Sequence, residues 1–313
     1  MSDEIRMASE DSERSSAQNA SQASAQNALR RRGLRKGLYL IPSLFTAANI
    51  GAGFYSLMAS LRAFQLLGDD GPEAIARAGV LFDNAALAIG LAFVFDSLDG
   101  RIARFTKTTT EIGVQFDSIA DVVTFGIAPA VLAFAWGYGS ALADGSEAYN
   151  LGWFLSFMYV ICGAFRLARF NVQATRPRVL AEGTAKVDKE HFVGLPIPMG
   201  AAAIAAIVHF APTPLVAHVE QKEVYSGLVM FLVAAVSILM VSTLRYKSFK
   251  SVGINRRSTH VAILTVALIG MFIWLYSQYV LLALVAIYIL HGLTARLFSF
   301  IFAPLRRGAP AAK

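Results

Sequence analysis

The sequence predicts an all-α protein, a polytopic integral membrane bundle of about eight transmembrane helices. Of its 313 residues, 56% are hydrophobic and only 16% are charged, and the mean hydropathy is +0.53. These values differ strongly from those of a soluble domain. The apolar residues form runs that approach the ~20 residues a helix needs to cross a bilayer. The runs are 42–61, 78–98, 116–138, 151–170, 194–211, 224–243, 259–276 and 279–302.

The charge of the connecting segments predicts how the spans are oriented. Lys and Arg are concentrated in segments 101–115, 171–193 and 244–258, whereas segment 139–150 has none. Because basic loops stay in the cytoplasm, these three loops and both termini are predicted to be cytoplasmic. The connection at 62–77 carries both positive and negative side chains, so its charge does not indicate on which side of the membrane it lies. The net charge of +7 therefore indicates contact with anionic lipid headgroups rather than with nucleic acid.

The composition also changes along the chain. Residues 1–30 are rich in Ser, Ala, Gln and Asn, which predicts a disordered cytoplasmic tail. We expect a six-span membrane domain at 31–258, two additional spans at 259–302 and a basic cytoplasmic tail at 303–313. The single cysteine, Cys162, excludes an intrachain disulfide and is interpreted as a small packed residue.

Four aspartates lie near the ends of the second and third spans, although an Asp near the centre of a membrane helix costs roughly 3 kcal/mol. Helix side chains at i, i+3 and i+4 share one face, so Asp96 pairs with Asp99, and Asp117 with Asp121. Carboxylates suit Mg²⁺ or Mn²⁺, which bind a few protein oxygens together with substrate phosphate. The spacing predicts a phosphoryl-transfer site for two divalent ions at the cytoplasmic surface. The alternative is a set of solvated carboxylates at helix ends.

The neighbouring residues favour a nucleotide ligand. Arg104 offers a forked donor for a phosphate. Thr46 and Asn49 lie one turn apart in the first span, where they either face a nucleotide or hydrogen-bond neighbouring helices. An ion-coupled transporter would also place acids within its spans, but usually near the midplane. Three small residues near the aspartates leave room for a nucleotide: Gly100, Ala103 and Gly113.

The aspartate segment resembles the complete signature of the CDP-alcohol phosphotransferases. The resemblance implies that family's membrane core, a CDP-linked donor, Mg²⁺ or Mn²⁺, and a homodimer. It also implies that Asp121 accepts the proton of the attacking hydroxyl, and it favours Thr46 and Asn49 as nucleotide contacts. The matching residues are Asp96-x-x-Asp99-Gly100-x-x-Ala103-Arg104, then eight residues, then Gly113-x-x-x-Asp117-x-x-x-Asp121.

Four further stretches are similar to the phosphatidylserine synthase branch of that family, so that the resemblance covers about 38–250. It implies CDP-diacylglycerol and L-serine as substrates. Arg166 and Arg169 share a helix face and suggest a site for lipid phosphate or the serine carboxylate, unless they merely snorkel. Ser118 and Phe125 are expected to line the acceptor pocket. The stretches are SIADVVTFGIAP, CGAFRLARFNV, HFVGLPIPMGA and MVSTLRYKSFK.

The core motif does not distinguish between acceptor alcohols, because it binds the CDP end of the donor, which is common to the whole family. Glycerol 3-phosphate, inositol phosphate and choline are the alternatives to serine. Another type of phosphatidylserine synthase uses paired His-x-Lys motifs, but no histidine here has Lys two residues later, so direct displacement is favoured. Asp83 and His209 are interpreted as packed or interfacial polar groups.

Overall fold

The structure, a computed structural model, describes residues 44–69, 71–106, 111–175, 191–242, 245–247 and 256–306. The predicted N-terminal tail lies outside these residues. Within these residues the fold is helical, with one ladder of two short strands. The helices are α1 (Leu44–Leu66), α2 (Pro72–Thr106), α3 (Glu111–Asp121), α4 (Ala128–Ala133), α5 (Gly139–Ala141), α6 (Glu147–Thr175), α7 (Ile197–Phe210), α8 (Lys222–Val241) and α9 (Arg256–Arg306).

Seven helical segments among the described residues are long and apolar enough to cross a membrane, which confirms the predicted polytopic bundle. About eight were expected. The difference lies in α9, where the two sides of Tyr276 form one helical run with a kink rather than two helices separated by a loop. Tyr276 has non-helical dihedral angles (φ −139°, ψ 46°), one residue before the turn expected near Ser277. The segments are Leu44–Leu66, Pro72–Ile102, Ile112–Ala141, Glu147–Val172, Ile197–Ala217, Lys222–Val241 and Ala267–Gly292.

The third span is not a uniform α-helix. Directly after Asp121 the chain widens into a π-helical segment, Val122–Ile127, before α4, and a second one, Phe134–Tyr138, follows α4. Such wide turns are uncommon and often occur next to functional groups. The first is fixed from outside, because the Tyr159 hydroxyl of α6 donates to the Phe125 carbonyl at 3.1 Å. The π-helical segment thus sets how the third span meets α6 beyond the aspartates.

Helix α1 approaches the third span closely at Gly53. A Cβ atom placed on Gly53 would overlap Thr124 of the π-helical segment. At the same contact, the Thr124 hydroxyl donates to the Asn49 carbonyl at 3.2 Å. The absence of a side chain at Gly53 therefore lets α1 lie against the third span, and this holds Thr46 and Asn49 beside α2 and α3.

A short ladder connects the loops at the same end of the bundle as the aspartates. Strand β1 (His191–Val193) pairs antiparallel with β2 (Arg245–Lys247). Gly194 follows with φ +85°, and a Cβ there would overlap the Met240 carbonyl at the end of α8. Glycine alone accepts both the positive φ and the close approach. This turn fixes the start of α7 against the end of α8.

A polar network lies at the opposite end of α7. The His209 Nδ1 atom hydrogen-bonds with the Asp83 carboxylate of α2, and its Nε2 atom with the Ser277 hydroxyl at 2.8 Å. The His209 residue is only 6% exposed, so both ring nitrogens need such partners. The network joins α2, α7 and the kink of α9, in agreement with the packed polar role expected for Asp83 and His209.

Candidate active site

The structure brings the predicted aspartates together. One carboxylate oxygen from each of Asp96, Asp99 and Asp117 lies within 4.8 Å of the other two. The first two come from successive turns of α2 and the third from α3, as the helical spacing predicts. Asp99 is 4% exposed. Three carboxylates this close repel one another strongly unless a cation or protons neutralise them.

Asp121 lies next to this cluster but outside the group of three. It is 9% exposed, and it is near enough to interact electrostatically with all three other aspartates and with Arg166. One of its carboxylate oxygens, Oδ1, is buried and has no hydrogen-bond partner among the described residues. The structure therefore offers one carboxylate with a free acceptor beside a cluster of three.

Helix α1 contributes two polar residues. The Thr46 hydroxyl donates to Asp99 Oδ2 at 2.9 Å, and both residues are buried. Asn49, one turn later, is 0% exposed, and neither polar atom of its side chain has a hydrogen-bond partner among the described residues. A buried amide without partners costs roughly 1–3 kcal/mol. A ligand that supplies one hydrogen-bond donor and one acceptor would satisfy the side-chain amide of Asn49.

Arg166 of α6 supplies a positive charge beside the carboxylates. It is partly buried beside Asp121, whose charge is opposite to its own, and it lies near Tyr288 of α9, while Arg169 is close enough to repel it. The Nε atom of Arg166 is buried without a partner among the described residues. Tyr288 was not predicted, because it belongs to an apolar run of the last span that carries no motif. The structure therefore adds α9 to the surroundings of the site.

The expected acceptor residues separate into two groups. Ser118 lies on α3, where its hydroxyl donates to the Val114 carbonyl at 2.9 Å and accepts a hydrogen bond from Asn171 Nδ2 of α6 at 2.8 Å. Asn171, which the sequence reasoning missed, thus links α6 to the aspartate helix. Phe125 is 0% exposed and belongs to the hydrophobic core. Its side chain packs between helices instead of lining an open pocket.

Among the small residues of the motif, Gly100 has open space beside it. A Cβ atom at Gly100 would meet no atom of the described residues within 4 Å. Gly113 is exposed near the start of α3. Ala103 and Arg104 belong to the last turns of α2, and their side chains lie outside the described part of the structure.

The donor set fits divalent cations. Carboxylate oxygens from three residues lie close together, and one oxygen of Asp117 is buried without a partner among the described residues. Oxygen donors of this kind suit Mg²⁺ or Mn²⁺, which complete their coordination with water and substrate phosphate. Asp96, Asp99 and Asp117 are therefore the residues that could hold the metal, and Asp121, which the sequence also predicts as a metal ligand, lies next to this group of three.

The fold and the site together define a membrane helix bundle with a carboxylate cluster suited to divalent cations and to phosphoryl transfer. Residues 39–239 match the CDP-alcohol phosphatidyltransferase family. The chain belongs to this family, whose members generally use divalent metal ions. Membership favours phosphoryl transfer over an ion-coupled transporter.

Three proteins with similar sequences carry one name, CDP-diacylglycerol–serine O-phosphatidyltransferase. The protein of Helicobacter pylori strain J99 is 32% identical over 219 residues, which are 70% of this chain and 76% of that protein. The Saccharomyces cerevisiae protein is 37% identical over 165 residues, 52% of this chain and 51% of its own. The Methanocaldococcus jannaschii protein is 31% identical over 166 residues, 53% and 65% of the two chains.

Proposed function

We propose that this protein is a CDP-diacylglycerol–serine O-phosphatidyltransferase, which transfers the phosphatidyl group of CDP-diacylglycerol to L-serine and releases CMP. The observation that carries the proposal is the group of three carboxylates, Asp96, Asp99 and Asp117, with a fourth, Asp121, beside it. Relatives of that name in bacteria, yeast and an archaeon support the choice of substrates.

The reaction is a direct displacement at the phosphorus that bears the diacylglycerol. The serine hydroxyl oxygen forms the new bond to this phosphorus, and the bond to the bridging oxygen of CMP breaks. Asp121 accepts the hydroxyl proton, since its Oδ1 atom has no other partner among the described residues. Its place outside the group of three carboxylates leaves it available for this role.

The remaining residues bind and orient the substrates. Thr46 holds the carboxylate of Asp99 through its hydrogen bond, so that the metal ligands are fixed before substrate arrives. Asn49 binds the nucleotide together with Arg104, Gly100, Ala103 and Gly113 of the motif. Mg²⁺ or Mn²⁺ at the aspartates, when bound, neutralises the phosphate oxygens and stabilises the departing CMP.

Selection of serine requires a cation for its carboxylate and an anion for its ammonium group. Arg166 supplies the cation, next to Asp121 and with an unused Nε donor among the described residues. Arg169 is the second candidate, and Ser118 lies near the second aspartate pair. Replacing Arg166 by Lys or Ala is therefore expected to raise KM for serine more than KM for CDP-diacylglycerol.

The orientation in the membrane is part of the proposal. The β1–β2 ladder joins two loops rich in Lys and Arg at the aspartate end of the bundle, which supports a site at the cytoplasmic face. Both termini are then cytoplasmic, as expected of a bacterial-type plasma membrane enzyme. A homodimer follows from the family resemblance and is tested by measuring the mass of the purified protein.

The decisive experiment offers several alcohols to the purified full chain. CMP release from CDP-dioleoylglycerol is measured with L-serine, glycerol 3-phosphate, inositol phosphate or choline, in Mg²⁺ or Mn²⁺ and in excess EDTA. The expected result is that CMP release depends on the metal ion and occurs with L-serine but not with the other three alcohols. Release with glycerol 3-phosphate and none with serine would refute the proposed acceptor, and full turnover in EDTA would refute the metal site.

A further inference from the structure

A large apolar cavity lies between α2, α7 and α9. Its volume is about 830 Å³, within the range of roughly 300–1,000 Å³ that is usual for ligand sites. The described residues that line it are apolar apart from His209, Tyr288 and His291. A cavity with so few polar groups suits a hydrocarbon chain and excludes a nucleotide or an amino acid.

The cavity adjoins the aspartate site along two routes. Along α2, Phe93 lines the cavity and lies one turn before Asp96 on the same face of the helix. On α9, Tyr288 lines the cavity and also lies near Arg166, which in turn lies near Asp121. A lipid whose phosphate lies at the aspartates and Arg166 therefore has its acyl chains at the mouth of this cavity.

The cavity then runs away from the aspartates into the apolar part of the bundle. Its far end is formed by Ala86 of α2 and His209 of α7, and His209 is occupied by its bonds to Asp83 and Ser277. From Val94 to Ala86 the rise along α2 is about 12 Å. This depth accommodates a long stretch of an acyl chain.

We propose that this cavity binds an acyl chain of CDP-diacylglycerol and makes the enzyme sensitive to chain length. The inference rests on the proposed function and adds to it the part of the protein that receives the lipid tail. One wall is α9, which lies beyond residues 39–239, where the chain matches its family. The apolar last helix thereby acquires a role in substrate selection.

Gly90 provides the sharpest test. It lines the cavity, and a Cβ atom there would meet no atom of the described residues within 4 Å, so a larger side chain projects into the cavity without displacing a helix. Gly90 is six residues, or about 9 Å of helix rise, from Asp96. Gly90→Leu thus leaves the mouth open and closes the deeper part.

Gly227→Leu is the matched control. Gly227 lies in the transmembrane helix α8, a Cβ there also meets open space among the described residues, and it does not line the cavity. Ala202→Leu, on the α7 wall, is a second variant that narrows the cavity from the opposite side. All three variants and the native protein are purified as full chains in the same detergent.

The measurement is serine-dependent CMP release with CDP-dioleoylglycerol and with CDP-dioctanoylglycerol, expressed as the ratio of the two rates. Relative to the native protein, Gly90→Leu is expected to lower the long-chain to short-chain ratio about tenfold, as overpacking by ~1.4 kcal/mol would. Gly227→Leu is expected to keep the native ratio.

An unchanged ratio in Gly90→Leu would overturn the inference and assign the cavity to bulk lipid or to a second copy of the chain. If Gly90→Leu were inactive with both lipids, Ala202→Leu decides in the same way, by a lowered or an unchanged ratio. Absence of serine-dependent release by the native protein with either lipid would refute the proposed function itself. The two failures are thus distinguishable.

Discussion

Replacing Thr46 by Val tests whether α1 prepares the aspartate site. Valine has nearly the shape of threonine but cannot donate a hydrogen bond, so Asp99 Oδ2 loses a donor at 2.9 Å while the packing of α1 is kept. Thr46 is 6% exposed and Asp99 is 4% exposed, which leaves little access for water as a substitute donor. The change therefore acts on the position and charge of one metal ligand.

The size of the effect follows from the kind of bond. Hydrogen bonds to charged groups contribute about 1.5–3 kcal/mol, and loss of a group that orients a metal ligand typically costs about 10–100-fold in metal affinity or activity. We expect Thr46→Val to raise the Mg²⁺ concentration that gives half-maximal CMP release by a factor in that range. Thr46→Ser, which keeps the hydroxyl, should restore most of the difference.

The assay is a Mg²⁺ titration of serine-dependent CMP release by the purified full chain. Ser237→Ala is a suitable control, since it removes a buried hydroxyl that donates to the Val233 carbonyl within α8, away from the aspartates. An Mg²⁺ requirement of Thr46→Val equal to that of Ser237→Ala and of the native protein would refute the idea that Thr46 prepares the site.

Three other substitutions test separate parts of the account. Asp121→Asn cannot accept the proton, so turnover should fall about 10²–10⁴-fold while metal-dependent binding of CDP-diacylglycerol persists; lost binding would make Asp121 chiefly a ligand. Gly53→Ala should lower CMP release at least about tenfold, as its Cβ overlaps the third span, whereas Gly51→Ala, with open space at its Cβ among the described residues, should not. His209→Ala should lower the free energy of unfolding by about 1 kcal/mol, measured by thermal denaturation, with KM for serine unchanged; a large rise in that KM would contradict a purely structural role.

The sequence predicts which side chains share a site where those side chains lie on one face of the same helix. The pairing of Asp96 with Asp99 follows from the 3.6-residue period, and antiparallel spans bring Asp117 to them, as the structure shows. Thr46, one span away, was expected to contact a nucleotide because of its place near the cytoplasmic end and of family resemblance; the structure shows its hydroxyl hydrogen-bonded to Asp99 of the neighbouring helix α2.

The contacts that were missed depend on packing between distant segments. No period in the sequence relates Tyr288 to Arg166 or Gly53 to Thr124, because these neighbours arise from how whole helices cross. The π-helical segment after Asp121 is equally hard to predict from the sequence, since its residues are also compatible with an ordinary α-helix. It directs Phe125 into the core rather than into a pocket. Local pattern thus predicts ligands on one face, whereas packing decides what else surrounds them.

In the proposed reaction, the phosphatidyl group passes directly to serine at the aspartate cluster. The most direct measurement follows labelled L-serine into phosphatidylserine and CMP release in the same reaction, for the native protein and for Asp117→Ala. Direct transfer should give one CMP per phosphatidylserine for the native protein in Mg²⁺ and neither product for the folded variant. Native-like turnover by Asp117→Ala, or phosphatidylserine formed without CMP, would contradict it.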